Sequence, residues 1–160
     1  MFEKLSDSEL VSAYGAVVGE LKHRGIIRSK NVVGDLGEYL AIHHYTTTRG
    51  LPKLQAAPPG TKNIDAISTA GDRYSIKATT SGTTSVFYGL NPPNSPEPDR
   101  QHFEFVVLVI FDDSIRLKRI NEMTWEQFMV FKRWHSRMAA WNLSVSRHLL
   151  ESTRTIYVDE

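Results

Sequence analysis

The order of helix and strand patterns in this chain predicts an α/β domain, with one mixed central β-sheet flanked by helices. Two helical patterns come first, strand patterns fill the middle, and a helix, a short helix and a last strand close the chain. A single sheet with helices on its faces accommodates that order. The 160 residues, 41% of them hydrophobic, suffice for one sizeable core. We therefore predict a single domain over residues 1–160.

The first helix is predicted over residues 7 to 24, within an N-terminal helical addition that spans residues 1–30. Ser6 and Glu9 form a capping-box pattern, and Gly25 is a typical helix stop. Apolar residues recur between them at helical spacing, namely Leu10, Val11, Tyr14, Val17, Val18 and Leu21. We expect this apolar face to pack in the core.

The second helix is predicted over residues 34 to 45 and carries Glu38. Gly34, Gly37 and Ala41 lie on the same helical face as Glu38, because positions three and four apart stack on one another. Small residues let a helix approach a sheet closely, so the carboxylate is expected to point toward the sheet edge. The alternative is that Glu38 is an ordinary surface residue, which is the usual place of a glutamate.

A connection over residues 46 to 62, with an extended piece at 54 to 56, leads into two paired strands around Asp65 and Lys77. Side chains alternate along a strand, so Ser75 and Lys77 share a face. Asp65 joins that face only if the hairpin loop has an odd number of residues or a bulge intervenes. A three-residue loop over residues 70–72 would pair Asp65 directly with Lys77, whereas a two-residue turn would send it to the opposite face.

The rest of the chain contains a long loop, further strands and two helices. Residues 80–102 are rich in Ser, Thr, Gly, Asn and Pro, and a loop of this length is usually functional or mobile. A nearly continuous apolar run then predicts a central strand covered on both faces. The predicted elements are strands over 103–111, 115–120 and 155–158, a helix over 125–138 and a short helix over 146–151.

Composition excludes several classes of function. The chain has no cysteine, so it has neither disulfides nor a thiolate metal site. No apolar run approaches the roughly 20 residues that span a bilayer, and the first residues lack a signal-peptide pattern. We therefore expect no membrane partner and a cytoplasmic location. Between Asp113 and Arg154, basic residues are twice as numerous as acidic ones, which fits either phosphate binding or a solvated surface.

The residues with the clearest chemical meaning are a helix glutamate, a strand aspartate and a lysine on the next strand. Cleavage of a phosphodiester with Mg²⁺ needs hard oxygen ligands and a group that orients the attacking water. Glu38 and Asp65 can supply carboxylate oxygens, and the backbone carbonyl of Ile76 is a candidate third ligand. Lys77 can position the nucleophile and offset negative charge in the transition state.

These pieces resemble the restriction-endonuclease-like, or PD-(D/E)XK, nuclease superfamily. The matching segments are Gly37-Glu38-x-x-Ala41, Ile64-Asp65 and Ser75-Ile76-Lys77. The resemblance covers roughly residues 34 to 140 and implies an αβββαβ core, to which the first helix is an extra element. It also implies a DNA endonuclease that depends on Mg²⁺, with Mn²⁺ as a substitute. Such small nucleases often act as homodimers to cut both strands.

One position departs from the family pattern. Ser75 stands where the family has an acidic residue or glutamine two positions before the lysine. Either Glu38 compensates and Ser75 assists through a bound water, or the domain is a catalytically silent module that binds nucleic acid or a protein partner. In a third interpretation, Asp65 and Lys77 form an ordinary cross-strand ion pair.

Basic residues outside this cluster are candidates for contact with the nucleic-acid backbone. Some lie at the end of the long loop and others on the strand predicted at 115–120, whose alternation suggests a basic, solvent-exposed face. The candidates are Arg100, His102, Arg116, Lys118 and Arg119.

Overall fold

A six-stranded mixed β-sheet forms the centre of the computed structural model, which describes residues 1–160. The helices are α1 Asp7–His23, α2 Val32–Thr47, α3 Trp125–Phe131 and α4 Arg147–Ser152. The strands are β1 Leu54–Ala56, β2 Ala66–Ser68, β3 Arg73–Thr79, β4 Phe105–Phe111, β5 Leu117–Thr124, β6 Arg133–His135, β7 Ala140–Asn142 and β8 Arg154–Val158. The sheet order is β1-β2-β3-β4-β5-β8, and β6 pairs with β7 in a separate hairpin. The predicted mixed α/β architecture is confirmed.

Strand β4 is covered on both faces, as its apolar run predicts. Val107 and Val109 belong to a core that α2 covers with Ala41 and Tyr45. The alternate residues of β4 face a second core, which contains Phe87, Phe103, Phe128 and Leu149. The sheet therefore separates two apolar layers, and α2 reaches the site from one of them.

Helix α1 has the predicted start but not the predicted environment. The Ser6 side chain accepts a hydrogen bond from the Glu9 N–H, and the Glu9 carboxylate accepts one from the Ser6 N–H, as in a capping box. None of the residues of α1 is buried, so the expectation that its apolar face packs in the core is wrong. The layers on the two sides of the sheet are already filled by α2 and by the elements around α3 and α4. None of the four helices is long and apolar enough to cross a membrane.

Helix α2 lies closely against β3, and Gly37 makes this possible. The helix begins earlier than predicted, because the Asn31 side chain accepts a hydrogen bond from the Gly34 N–H. A methyl group at Gly37 would overlap the Cβ of Ala78 on β3. The absence of a side chain at Gly37 thus fixes how deeply the next residue, Glu38, sits at the sheet.

Substitution of Gly37 by alanine is expected to lower the free energy of unfolding by about 2 kcal/mol, because the added methyl forces α2 away from the sheet. Gly19→Ala is the matched control, since a Cβ at Gly19 meets no atom within 4 Å. That variant should gain roughly 0.5 to 1 kcal/mol, the usual difference between glycine and alanine in a helix interior. Urea titration measures both. Equal stability of Gly37→Ala and the wild type would contradict the close approach.

The hairpin between β2 and β3 has an odd loop, as the metal-site hypothesis requires, but at another position than predicted. Ala66 pairs with Tyr74, and Ser68 closes a three-residue loop over residues 69–71 by exchanging hydrogen bonds with Asp72. The predicted loop over 70–72, and with it a direct pairing of Asp65 with Lys77, is wrong. Beyond Ala66 the pairing is irregular, because the Asp65 N–H donates to the Tyr74 carbonyl while the Asp65 carboxylate accepts from the Ile76 N–H. These bonds hold Asp65 against β3, within reach of Ser75 and Lys77.

Two C-terminal boundaries also differ from the prediction. Strand β5 starts later and runs longer than 115–120, because Ile115 has a positive φ of 59° and belongs to the turn. Helix α3 ends at Phe131 rather than near 138. Lys132 is extended, and its ammonium lies 3.3 Å from the ring centroid of Trp141 on β7. The apolar spacing that suggested a longer helix instead brings Trp134 on β6 against Trp141.

The predicted loop over residues 80–102 contains no helix or strand, in agreement with its composition. It is nevertheless anchored to the rest of the chain. Thr83 and Phe87 form isolated β-bridges with Ser144 and Trp141, and Phe87 is buried. The short helix α4 and strand β8 lie within one residue of their predicted positions.

Candidate active site

Glu38 lies on α2 with its side chain about three-quarters removed from solvent. Its carboxylate accepts a hydrogen bond from the Arg28 guanidinium at 2.9 Å. The pKa of Glu38 is raised to about 7, first by burial and then by the negative charge of Asp65, against the opposing charge of Arg28. At neutral pH the carboxyl group is therefore close to half protonated. The prediction that Glu38 faces the sheet edge, rather than bulk solvent, agrees with this environment.

Arg28 is a site residue that the sequence interpretation missed. It belongs to the connection between α1 and α2, which is held against the first turn of α2. The Asp35 carboxylate accepts hydrogen bonds from the N–H groups of Arg28 and Ser29 at 2.8 and 2.6 Å. These bonds aim the Arg28 side chain at Glu38. No motif signals this contact, because it depends on the chain folding back onto α2.

Asp65 ends the connection before β2, and it is held by the backbone of β3. Its N–H donates to the Tyr74 carbonyl at 2.8 Å, and its carboxylate accepts from the Ile76 N–H at 2.7 Å. Burial raises the pKa of Asp65, while the Ile76 N–H, the Lys77 charge and the Ser75 hydroxyl act in the opposite direction. Ser75 itself is buried beside this carboxylate.

Ile76 contributes its backbone to the site and its side chain to the core. The side chain packs in the layer under α2, whereas its N–H points to Asp65. The N–H and C=O of one strand residue point to the same edge. The Ile76 carbonyl therefore points toward the edge that carries Asp65, which is the position predicted for a third oxygen ligand.

Lys77 lies on the opposite face of β3 from Ile76, under the long loop. Its ammonium donates to the Val86 carbonyl at 3.1 Å and lies 4.8 Å from the ring centroid of Phe87. Burial lowers the pKa of Lys77, and the carboxylates of Asp65 and Glu38 act against that shift. The loop residues therefore keep solvent from the amine and fix its direction.

The structure thus brings Glu38, Asp65 and Lys77 close enough for their charges to act on one another. The two carboxylates line an open pocket of about 460 Å³, bordered by Arg28 and residues 57–61. Lys77 lines a neighbouring pocket with Val86. The two pockets share no lining residue.

The donor set at this edge suits a hard cation that keeps part of its water shell. No group of three or more His, Cys, Asp or Glu side chains is placed to share an ion. Mg²⁺ is commonly held by one or two carboxylates and several waters, so Glu38, Asp65 and a backbone carbonyl satisfy its needs. Each carboxylate is half-buried beside charged neighbours, and a cation between them would relieve their mutual repulsion. The residues present therefore fit Mg²⁺.

Most of the predicted nucleic-acid contacts lie away from this edge. Three of them lie on or beside β5, which β4 separates from β3. There, Arg116 pairs with Asp112, Lys118 with Asp159, and Arg119 bonds Asn121 and Thr155. In the long loop Arg100 is exposed, and the ring of His102 bonds Asn63 and stacks on Trp125. The three residues on or beside β5 are therefore not gathered around the carboxylates, whereas His102 contacts Asn63, two residues before Asp65.

No protein-family model matches this chain, and a search of curated proteins finds no match.

Proposed function

We propose that this protein is a Mg²⁺-dependent endonuclease that hydrolyses phosphodiester bonds in DNA, with a restriction-endonuclease-like core. The observation that carries the proposal is the mutual influence of three poorly solvated charges, Glu38, Asp65 and Lys77. Burying charged groups is costly, and titratable groups with strongly shifted pKa values concentrate at functional sites. A helix glutamate, a strand aspartate and a strand lysine are also the residue types that such chemistry needs.

In this proposal each residue has a separate task. Glu38, Asp65 and the Ile76 carbonyl would hold Mg²⁺, with Mn²⁺ able to replace it. The bound ion would supply Lewis acidity to a phosphate oxygen and lower the pKa of a water ligand. The Lys77 ammonium orients the attacking water and offsets negative charge that develops on the phosphate. Its contacts with Val86 and Phe87 fix it in one direction.

The departure at Ser75 is compatible with activity because a second carboxylate comes from α2. Ser75 is buried next to Asp65 and assists through a bound water instead of contributing a charge. Glu38 provides the second anionic oxygen, and the close contact of Gly37 with β3 keeps it at the sheet. The exposed Arg100 and Arg116, with His102, Lys118 and Arg119, would contact the DNA backbone, and a homodimer would cut both strands.

Nicking of supercoiled plasmid tests the proposal. The wild type should produce open-circular or linear DNA with Mg²⁺ or Mn²⁺ and no product with EDTA. Asp65→Asn is the matched control for contaminating nucleases, because asparagine keeps the shape and an oxygen acceptor for the Ile76 N–H but removes the charge. Nicking by Asp65→Asn at the wild-type rate would contradict the proposed site.

A second candidate function is a silent module that binds nucleic acid or a protein partner. The neutral Ser75 in place of an acidic residue favours it. Salt-dependent retardation of DNA in gels, with no cleavage in any divalent metal, would support the module over the enzyme. Absence of DNA binding at low salt would instead favour a structural role for Asp65 and Lys77, through their bonds to the Ile76 N–H and the Val86 carbonyl.

The cleavage rate at subsaturating Mg²⁺ is expected to fall by roughly tenfold for each pH unit below about 7. The cause is Glu38, whose pKa of about 7 leaves the carboxyl group protonated and a poor ligand in acid. Initial rates between pH 6 and 8.5 measure the effect. Protons and Mg²⁺ compete for the same group, so excess Mg²⁺ should restore part of the rate at pH 6. A flat profile over this range would contradict a role for Glu38 in metal binding.

A further inference from the structure

Helix α1 carries an apolar stripe that the rest of the chain leaves exposed except at Leu21, which is half-buried. Leu10, Tyr14 and Val17 are 45%, 66% and 55% exposed, and no residue of α1 is buried. At roughly 100° per residue, these positions and Leu21 fall within a sector of about 60° on the helix surface. Apolar surface concentrated in this way marks an interaction site rather than ordinary surface composition.

The residues of α1 are complementary to themselves when two copies run in opposite directions. For a two-fold axis between Gly15 and Ala16, Leu10 lies opposite Leu21 of the other copy, and Tyr14 lies opposite Val17. The charged residues then match as well, with Asp7 beside Lys22 of the other copy on one flank of the pair and Glu9 beside Arg24 of the other copy on the other flank. Arg24 currently forms an exposed pair with Glu20 of its own helix and remains available at the surface.

We propose that α1 is a dimerisation surface, which packs antiparallel against α1 of a second copy of this chain. The pairing is isologous, so each contact occurs twice. The antiparallel direction brings the acidic first turn of one helix beside the basic last turn of the other, and the helix dipoles also oppose one another. A parallel pair would place like charges together. The dimer does not depend on the proposed nuclease activity, and its tests use no DNA.

A second copy suits this surface better than a lipid membrane does. Helices that lie on membranes carry an excess of Lys and Arg on their polar face. The charged residues of α1 and its caps instead include both signs, with Asp7, Glu9 and Glu20 against Lys22 and Arg24. Such a mixed pattern is typical of a protein partner with a matching arrangement of charges.

The mass of the full chain in solution tests the dimer. Light scattering should give twice the 18.1 kDa of one chain. Tyr14→Glu should weaken association by at least roughly 30-fold, the size expected for a central aromatic contact. Ser12→Glu is the matched control, because it adds the same charge at an exposed position on the opposite side of α1. It should remain dimeric, and circular dichroism should show equal helix content in both variants.

Disulfide cross-linking tests the direction of the pair, and the chain has no cysteine of its own to interfere. The double variant Leu10→Cys with Leu21→Cys should cross-link two copies. Leu10→Cys alone should not, because the antiparallel arrangement separates the two residues at position 10 by roughly 16 Å along the axis. A disulfide needs Cα atoms within about 7 Å.

Three results would overturn the proposal. The first is a wild-type chain that stays monomeric at concentrations well above those of ordinary assays. The second is efficient cross-linking by Leu10→Cys alone, which requires a parallel pair. The third is a monomer that sediments with vesicles of anionic phospholipid and loses that binding in Tyr14→Glu, since the stripe would then be a membrane surface.

Discussion

Lys77→Met is expected to nick plasmid DNA at least about 100-fold more slowly than the wild type. The variant removes the ammonium that orients water and offsets charge at the phosphate, and single groups in such roles contribute roughly 10² to 10⁴ in rate. Methionine keeps the length and apolar character of the stem, so the packing over Phe87 should persist. Initial rates of plasmid nicking at saturating Mg²⁺ measure the loss.

The same substitution should leave the unfolding temperature unchanged or raise it. Burial lowers the pKa of Lys77, which means that the folded protein holds the charged amine at a cost. Lys77, unlike Lys132, makes no ion pair with a carboxylate, and replacing a buried charge that lacks such a partner by an apolar side chain is often neutral or stabilising. The Val86 carbonyl loses one donor, worth about 1 kcal/mol, and this loss opposes the gain. A large fall in stability would mean that lost activity reflects unfolding.

Lys132 provides a matched control for Lys77. Burial also lowers its pKa, and its ammonium lies over the Trp141 ring and 3.9 Å from Asp99, but it is outside the proposed site. Lys132→Met should lower stability by about 3 kcal/mol, because it leaves Asp99 without its partner, and should retain the nicking rate below its melting temperature. Equal rate losses in both variants would contradict a local role for Lys77.

Glu38→Gln is expected to raise the free energy of unfolding at pH 8 by about 2 kcal/mol. The folded protein raises the pKa of Glu38 from 4.5 to about 7, so between these values the folded state binds the proton more tightly than the unfolded state. Stability due to this group is thus greatest in acid and is lost as the pH rises through 7. If the whole pKa shift of Glu38 were converted to a free energy of unfolding, it would give roughly 3 kcal/mol. Solvent screening of this partly exposed group reduces that value.

Urea titrations at pH 5 and pH 8 measure this effect. At pH 5 Glu38 is already protonated in the folded state, so the variant and the wild type should differ little. The control is Glu20→Gln on α1, an exposed glutamate whose substitution should change stability by less than about 0.5 kcal/mol at either pH. Destabilisation of Glu38→Gln at pH 8 would show that the Arg28 ion pair outweighs the cost of burial.

The effect of Mg²⁺ on the melting temperature should show whether Glu38 is a metal ligand or only a carboxylate that is costly to bury. An ion that binds only the folded protein raises its melting temperature, so Mg²⁺ should stabilise the wild type at pH 8. In Glu38→Gln this increment should disappear while the stability gained from the substitution remains. An equal rise in melting temperature for both proteins would place the ion elsewhere on the molecule.

Local signals in the sequence predicted much of the fold. Strand β1 at 54–56, the capping box at Ser6 and the apolar strand β4 all follow from patterns within a few residues. Glu38 could be chosen because glycine and alanine on its face indicate a close approach to the sheet, which Gly37 makes to Ala78. These signals succeed because the helix and strand periods fix which residues share a face.

Features that depend on distant parts of the chain were not predictable. Arg28 reaches Glu38 only because Asp35 holds the preceding connection in place. Helix α3 stops where Lys132 meets Trp141, a contact that local spacing does not encode. The apolar stripe of α1 has the same period whether it faces a sheet or another molecule, so the sequence alone could not separate a core helix from an exposed one.

The single parallel pair in the sheet, β3 with β4, has a consequence for the segment between them. Because the strands point the same way, the chain must return across the length of the sheet before β4 can begin, and strands related in this manner need a crossover of a dozen or more residues. In this protein an irregular segment without helix or strand forms the crossover, and it covers Lys77. Deletions within this segment should therefore disturb both the pairing of β3 with β4 and the position of the Lys77 ammonium. Deletions in an ordinary surface loop would have neither effect.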